Sequence, residues 1–182
     1  HFMRTKLPFT VLKYAMTLDG KTATVSGKSQ WITGEAARKR VHEDRGRYMA
    51  ILTGVSTVLA DNPQLTCRIP GGKNPIRVIA DTKLRTPLSS TVVQSARETP
   101  TWIVTAVSDT GRKKAYEDAG CRVLSVPAKE GELDLQAMMQ RLGEEKVDSV
   151  MVESGGTLAW SFLKAGLVNR VQAYIAPKIF GG

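Results

Sequence analysis

The segment Glu153-Ser154-Gly155-Gly156-Thr157 follows the apolar run Val150-Met151-Val152 and leads into a further amphipathic stretch. A strand that passes through two glycines into a helix lets the backbone approach a ligand closely, and the first helical amides favour an anion. The pattern is not GxGxxG, so a tight connection that binds nothing is an open alternative. Glu153 stands at the carboxyl end of the strand, where open α/β sheets hold ligands, although a helix-cap or ion-pair role fits as well. In Gly27-Lys28-Ser29-Gln30-Trp31-Ile32-Thr33 a tryptophan sits among polar residues just before a helix start. Trp31 could lie along a planar cofactor ring with Ser29 adding a directional hydrogen bond, or could be a core residue beside a polar loop. In the third stretch, Thr57 to Arg68, Asp61 and Asn62 before Pro63 mark a turn. Arg68, and Arg45 from the preceding helix, could grip a phosphate with their planar forks or could lie in solvent.

Other chemistries find little support. The two histidines, His1 and His42, are too few for a histidine-rich metal centre, and His42 is expected to be exposed on a charged helix. Cys67 and Cys121 lack a CxxC neighbour, which argues against zinc and against a disulfide framework; both read as small buried apolar residues in a reducing compartment. No GxSxG elbow, P-loop or zinc-deaminase signature occurs, so no metal is expected and the implied cofactor is organic. The 26 Lys and Arg against 17 Asp and Glu give a formal charge of +9, which favours phosphate-bearing partners. The basic residues are scattered and form no stripe, which argues against nucleic acid. No secretory signal and no bilayer-length apolar run is present, so a cytoplasmic protein without membrane attachment is expected.

The elements that must position these residues alternate in the order of an α/β domain. Short β-branched runs predict strands over Phe9 to Met16, Met49 to Thr53, Ile76 to Asp81, Thr101 to Ala106, Arg122 to Val126, Ser149 to Glu153 and Arg170 to Ile175. Helices are predicted from Gly34 to about Tyr48, with Thr33 as N-cap, and over Thr110 to Ala119, Leu135 to Leu142 and Thr157 to Ala165. Asp134 is the expected cap of the third, and Gly120, Gly143 and Gly166 the expected stops. Leu18-Asp19-Gly20 reads as a turn and Pro70 to Pro75 as a surface loop. At 182 residues the chain encloses one core. His1 and Phe2 before Met3 read as an appended remnant.

Taken together, Lys13 to Ala23, Ser29 to Thr33, Thr57 to Pro63, Glu153 to Thr157 and the closing Tyr174-Ile175-Ala176-Pro177-Lys178 resemble the reductase domain of bacterial bifunctional riboflavin deaminase/reductases. The resemblance runs in order from about Pro8 to the end. It implies a dihydrofolate-reductase-like three-layer α/β fold, with a mainly parallel central sheet flanked by helices, over residues 4–182. It also implies a dimer or larger homo-oligomer, a missing C-terminal end, and an N-terminal zinc deaminase in a full-length protein. The activity it implies is NADPH-dependent reduction of 5-amino-6-(5-phosphoribosylamino)uracil by hydride transfer to ribose C1′, with positioning of the reactants as the chief requirement. By the same resemblance Ala15, Trp31, Thr57, Asp61, Thr82, Gly155, Gly156, Thr157, Leu158, Ala159, Trp160 and Ser161 would contact NADPH. Ser29, Arg45, Leu65, Arg68 and Glu153 would hold the substrate, with the two arginines at its phosphate. Lys13, Asp61 and Glu153 are the candidate proton donors. The same fold acting on another heterocycle such as a pterin, and a basic nucleic-acid-binding module, are the alternatives.

Overall fold

In the computed structural model, which describes residues 1–25 and 32–181, seven strands form one sheet. They are β1 (Phe9–Thr17), β2 (Ala50–Gly54), β3 (Ile76–Ala80), β4 (Thr101–Thr105), β5 (Arg122–Ser125), β8 (Ser149–Glu153) and β9 (Arg170–Ala176). The order is β5-β4-β3-β2-β8-β1-β9, and every neighbouring pair is parallel. Both faces of a parallel sheet must be covered, which is why its central strands read as near-continuous Val, Ile and Leu. The two remaining strands, β6 (Ala128–Lys129) and β7 (Glu132–Leu133), form a small antiparallel hairpin that the sequence pattern does not signal.

The strand alternation sorts the core into two layers. Ile51, Ile79, Ile103 and Met151 face one way and pack on α3 (Val55–Asp61), α4 (Thr91–Gln94) and α5 (Thr110–Asp118) through Val58, Val92, Val93 and Tyr116. Leu52, Val78, Val104, Val150 and Val152 face the other way, against Met138, Met139 and Leu142 of α6 (Leu135–Glu144) and Phe162 of α7 (Gly156–Lys164). The expected three-layer α/β architecture is therefore observed, and each of the seven sheet strands lies within two residues of its predicted span. The helix α2 (Glu35–Arg45) lies after the loop that follows β1, and α1 (Phe2–Thr5) precedes the sheet.

Local differences have local causes. Thr33 does not cap α2; Gly34 in an extended conformation does, without a side-chain hydrogen bond. Asp134 caps α6 as expected by accepting from the Ala137 amide, and Asp109 does the same for α5 from the Arg112 amide. Gly143 does not end α6 but lies within it, because a Cβ there would collide with the carbonyl oxygen of Lys6. The helix passes on to Glu144, and the left-handed conformation falls on Lys146. Of the turn expected at Asp61 and Asn62, Asp61 is instead the last residue of α3, a helix that the sequence pattern does not signal, while Asn62 turns the chain as its left-handed C-cap.

Arg77, on β3, is fully buried and, among the described residues, forms no ion pair with a carboxylate. Its guanidinium donates instead to the carbonyls of Gln64, Val92, Ser95 and Thr99 at 2.7–3.2 Å, and to Ser95 Oγ at 2.8 Å. Burial pulls its pKa down to about 10, so the group is still charged at neutral pH. It ties the irregular segment after α3 to the α4 region. Arg77→Met fills the volume but leaves those carbonyls unpaired, and is expected to lower unfolding free energy by about 2–3 kcal/mol in urea titration. An unchanged midpoint would mean that water replaces the guanidinium at no cost.

Candidate functional site

Because all seven strands run in the same direction, their carboxyl ends share one edge of the sheet. After β2 the chain turns to β3 on one side, and after β8 it crosses to β9 on the other. The β2/β8 boundary is therefore a topological switch point, the place where open α/β sheets form a ligand crevice. Both strands pass there through glycine: β2 ends at Gly54, which leads into α3, and β8 is followed two residues on by Gly155, which leads into α7, each an extended N-cap with no side-chain cap on the helix. Among the described residues, nothing apart from the chain neighbours and the helix's own backbone lies within 4 Å of the space a Cβ would take at Gly155 or Gly156, whereas at Gly54 a Cβ would lie 3.3 Å from Leu158 Cδ2, so this end of β2 touches α7. The buried hydroxyls of Thr53 and Ser154, one at each strand end, have no hydrogen-bond partner among the described residues. Uncapped amides of a nine-residue helix, open backbone at two glycines and orphaned hydroxyls beside them fit an anionic, phosphate-bearing group such as a dinucleotide.

Next to this crevice lies a cluster of charges. Lys13 on β1 is the register partner of Glu153 on β8, and Glu153 points to the same face as Met151, toward α2 and α3. Arg45, the last residue of α2, grips Glu153 through two parallel hydrogen bonds, Nε to Oε1 and Nη2 to Oε2, both 2.9 Å. Its Nη1 donates to the Thr66 carbonyl at 3.1 Å. Lys13 Nζ stands 3.8 Å from Glu153 Oε2, too far for a hydrogen bond but within ion-pair range. Burial pushes the Glu153 carboxyl up, but the charge and hydrogen bonds of Arg45, with Lys13 beside them, outweigh it and hold the group below its ordinary value. Burial likewise opposes the charge on Arg45, and Glu153 overcomes it, raising the guanidinium further. The pair is thus ionised and preorganised.

His42 is half-buried, not exposed as expected, because the segment after α3 folds back over α2. Its Nδ1 lies 3.3 Å from the Thr66 carbonyl and 3.4 Å from the Arg68 amide. Burial, with the nearby charges of Arg45 and Arg68, lowers its pKa. Leu65 is buried with a left-handed backbone (φ 54°), which turns the chain so that Arg68 emerges exposed near the same helix end. Cys67 is half-buried, its thiol against the His42 carbonyl, and Cys121 is buried; both are free, and burial pushes the Cys121 thiol up to about 11.

The fold thus brings Lys13 and Arg45 each into an ion pair with Glu153 and sets Ala15 two residues farther along β1. Thr57 lies in the first turn of α3, and Thr82 lies just past β3, its hydroxyl 3.1 Å from Glu132 of the hairpin. Gly156 to Ser161 form the first part of α7, where Trp160 is 65% exposed and free to meet a ligand or another surface. Asp61 is not part of the charge cluster: it ends α3, exposed, about 9 Å of helical rise from Val55. Ser29 and Trp31 lie outside the described residues. Three residues that sequence reasoning missed are Asp44, Gln172 and Tyr174, which bond to one another beside Lys13. Asp44 gives no signal in a run of charged residues on α2, since nothing in the sequence says which one turns inward. A shallow groove of about 350 Å³ lined by His1, Phe2, Met3, Phe9, Asp148 and Ser149 lies at the opposite, amino end of the strands and holds none of these groups. Among the described residues no helix is long and apolar enough to cross a membrane.

The family described as RibD C-terminal domain matches residues 8–182. The riboflavin biosynthesis protein RibD of Actinobacillus pleuropneumoniae is 49% identical over 182 residues, which is all of this chain and 48% of that protein. The 2,5-diamino-6-ribosylamino-4(3H)-pyrimidinone 5′-phosphate reductase of Methanothermobacter thermautotrophicus is 41% identical over 178 residues, 96% of this chain and 80% of that one. The solved structure of Acinetobacter baumannii RibD superposes with a TM-score of 0.84 at 31% identity, covering 100% of this chain and 49% of that one. The chain spans about half the length of the RibD proteins it matches.

Proposed function

Since the chain belongs to the RibD C-terminal domain family, whose members include NAD(P)H-dependent reductases, we propose that it reduces 5-amino-6-(5-phosphoribosylamino)uracil to the 5-phosphoribitylamino product with NADPH, in riboflavin biosynthesis. The observation that carries this reading is the adjacency of two sites on one sheet edge: the uncapped glycine crossover at Gly155 and the Lys13–Glu153–Arg45 cluster. The first suits a dinucleotide phosphate and the second a polar reacting centre.

Opening the ribose breaks C1′–O4′, transfers the proton of the glycosylamine N–H to O4′ and leaves a C1′=N bond. Reduction then adds a hydride at C1′ and a proton at nitrogen. When bound, NADPH supplies the hydride, and the protein must exclude water, orient C1′ and deliver the proton. In this proposal Gly155 to Ser161, Thr57, Thr82 and Ala15 hold the cofactor, and Leu65 shapes the substrate pocket. Lys13 is the proton donor. Glu153 is the poorer candidate because Arg45 keeps it ionised, and Asp61 stands apart from the cluster. Glu153 instead steadies the Lys13 ammonium and accepts from the substrate.

The arginines divide the work. Every type of guanidinium nitrogen of Arg45 is engaged, to Glu153 and Thr66, so its role is to fix the carboxylate. Arg68 is exposed, with its backbone anchored on His42, and is the better phosphate ligand. Arg68→Ala is expected to raise KM for the phosphorylated pyrimidine about 10–100-fold, the loss of a charged hydrogen-bonded pair, with KM for NADPH little changed.

The direct test is NADPH oxidation by the purified protein with the ribosylamino-pyrimidine, alongside NADH and a pterin. Turnover of the pyrimidine alone supports the reading, and its absence in folded protein sinks it. The Methanothermobacter relative favours one second reading, the 2,5-diamino pyrimidinone as substrate. The same assay with both pyrimidines separates the two.

A further inference from the structure

We propose that Tyr174 is a positioning residue for Lys13, its ring carrying the ammonium while Asp44 and Gln172 hold its hydroxyl. The inference rests on the reading of Lys13 as proton donor and names what aims it.

A lysine stem is flexible, and a carboxylate 3.8 Å away attracts the ammonium without fixing its direction. A second restraint lies on the other flank. Lys13 Nζ is 5.7 Å from the centroid of the Tyr174 ring, within the range at which a ring face attracts a cation. The strand register makes this contact possible: Lys13 pairs with Gln172 and Ala15 with Tyr174 across β1 and β9, so Lys13 and Tyr174 are diagonal neighbours on one face.

The ring itself is pinned at its far end. Its hydroxyl donates to Asp44 Oδ2 at 3.2 Å and accepts from Gln172 Nε2 at 2.7 Å, and the same Gln172 nitrogen donates to Asp44 Oδ2 at 2.6 Å. Asp44 is buried, with Arg40 and Arg47 at 3.6 and 3.3 Å from its other oxygen. Burial together with the neighbouring Asp44 pushes the phenol up to about 12, so it remains a neutral donor. Asp44 and Arg45 are consecutive on α2: one holds the ring beside Lys13, the other the carboxylate beside Lys13. A single helix end therefore grips both restraints of the ammonium.

The test compares Tyr174→Leu with Tyr174→Phe, by steady-state kinetics and by NMR of reductively ¹³C-methylated lysines, with the Lys13 signal assigned from Lys13→Arg. Tyr174→Leu is expected to lower kcat about 10-fold, the scale of a lost cation–π contact, with KM for NADPH unchanged. Tyr174→Phe keeps the ring and is expected to recover most of that loss. The Lys13 methyl signal should be shifted upfield by the ring in wild type and Tyr174→Phe, and should lose that shift in Tyr174→Leu. Wild-type kcat in Tyr174→Leu, or equal damage in both variants, would overturn the proposal. Should Tyr174→Leu fail to fold, Asp44→Asn takes its place: a lower kcat and a weakened ring shift support the proposal, and wild-type values in both refute it. If the wild type does not turn over the pyrimidine, the functional reading falls, and the ring shift alone decides where Lys13 sits.

Discussion

Lys13→Met is expected to lower kcat for the pyrimidine by about 10²–10⁴-fold, the usual contribution of a positioned proton donor. The side chain keeps its length and apolar stem, so packing on β1 is preserved and only the ammonium is removed. Arg45 continues to neutralise Glu153 through its two 2.9 Å hydrogen bonds, so the fold and the glycine crossover should stand. The affinity for NADPH, measured by fluorescence titration, is therefore expected to stay within about threefold of wild type, since uniform binding is not what the ammonium provides. A drop in kcat of less than tenfold would move the proton elsewhere, with Asp61 the remaining carboxyl candidate. A parallel loss of NADPH affinity would mean that Lys13 serves the cofactor and not the reacting centre.

The second large effect is on stability. Arg45→Met removes the one group that, among the described residues, makes hydrogen bonds to the Glu153 carboxylate, and leaves that charge nearly buried, with Lys13 at 3.8 Å as partial compensation. Breaking one side of a buried pair is expected to lower unfolding free energy by about 3 kcal/mol at neutral pH, the low end of the usual range because Lys13 remains. The pH dependence has a definite sign. In the wild type the Glu153 pKa is held below its ordinary value near 4.5, so the pair's stabilisation is complete above that value and is lost as pH falls through the lower folded one. In Arg45→Met the burial that already opposes the charged form becomes dominant, the folded pKa rises, and the variant's deficit shrinks as the medium is acidified. Urea titrations from pH 7 down to pH 4 check both slopes. A deficit that grows on acidification would contradict this account, and Arg45→Met/Glu153→Gln should recover part of the loss at pH 7.

The strands were legible because a parallel sheet buried on both faces demands short, nearly uninterrupted Val, Ile and Leu runs, and these stand out at residues 50–54, 76–80 and 149–153. The caps Asp109 and Asp134, and Gly120 and Gly166 with positive φ, obey local rules. Thr33 is not a cap and Gly143 is not a stop, for a different reason. Gly34 supplies the extended backbone of the N-cap by itself, and Gly143 answers to the approach of Lys6, a contact from the far end of the chain.

The site divides along the same line. Sequence by itself determined the strand–glycine–helix crossover at Glu153 to Thr157, the alternation that makes an α/β domain, and the set of motifs resembling a pyrimidine reductase, because each is written within a few neighbouring residues. Only the tertiary structure decided that Lys13, Arg45 and Glu153 meet, that Arg45 is bound to a carboxylate while Arg68 is exposed, and that Asp44 and Tyr174 flank the lysine. The two ion pairs join residues far apart along the chain, 140 positions for Lys13 with Glu153 and 108 for Arg45 with Glu153. They are joined by the insertion of β8 between β2 and β1, a register that no local pattern encodes. Whether a charged side chain is solvated or held in a pair depends on what the sheet order places across from it, and that is a property of the assembled strands.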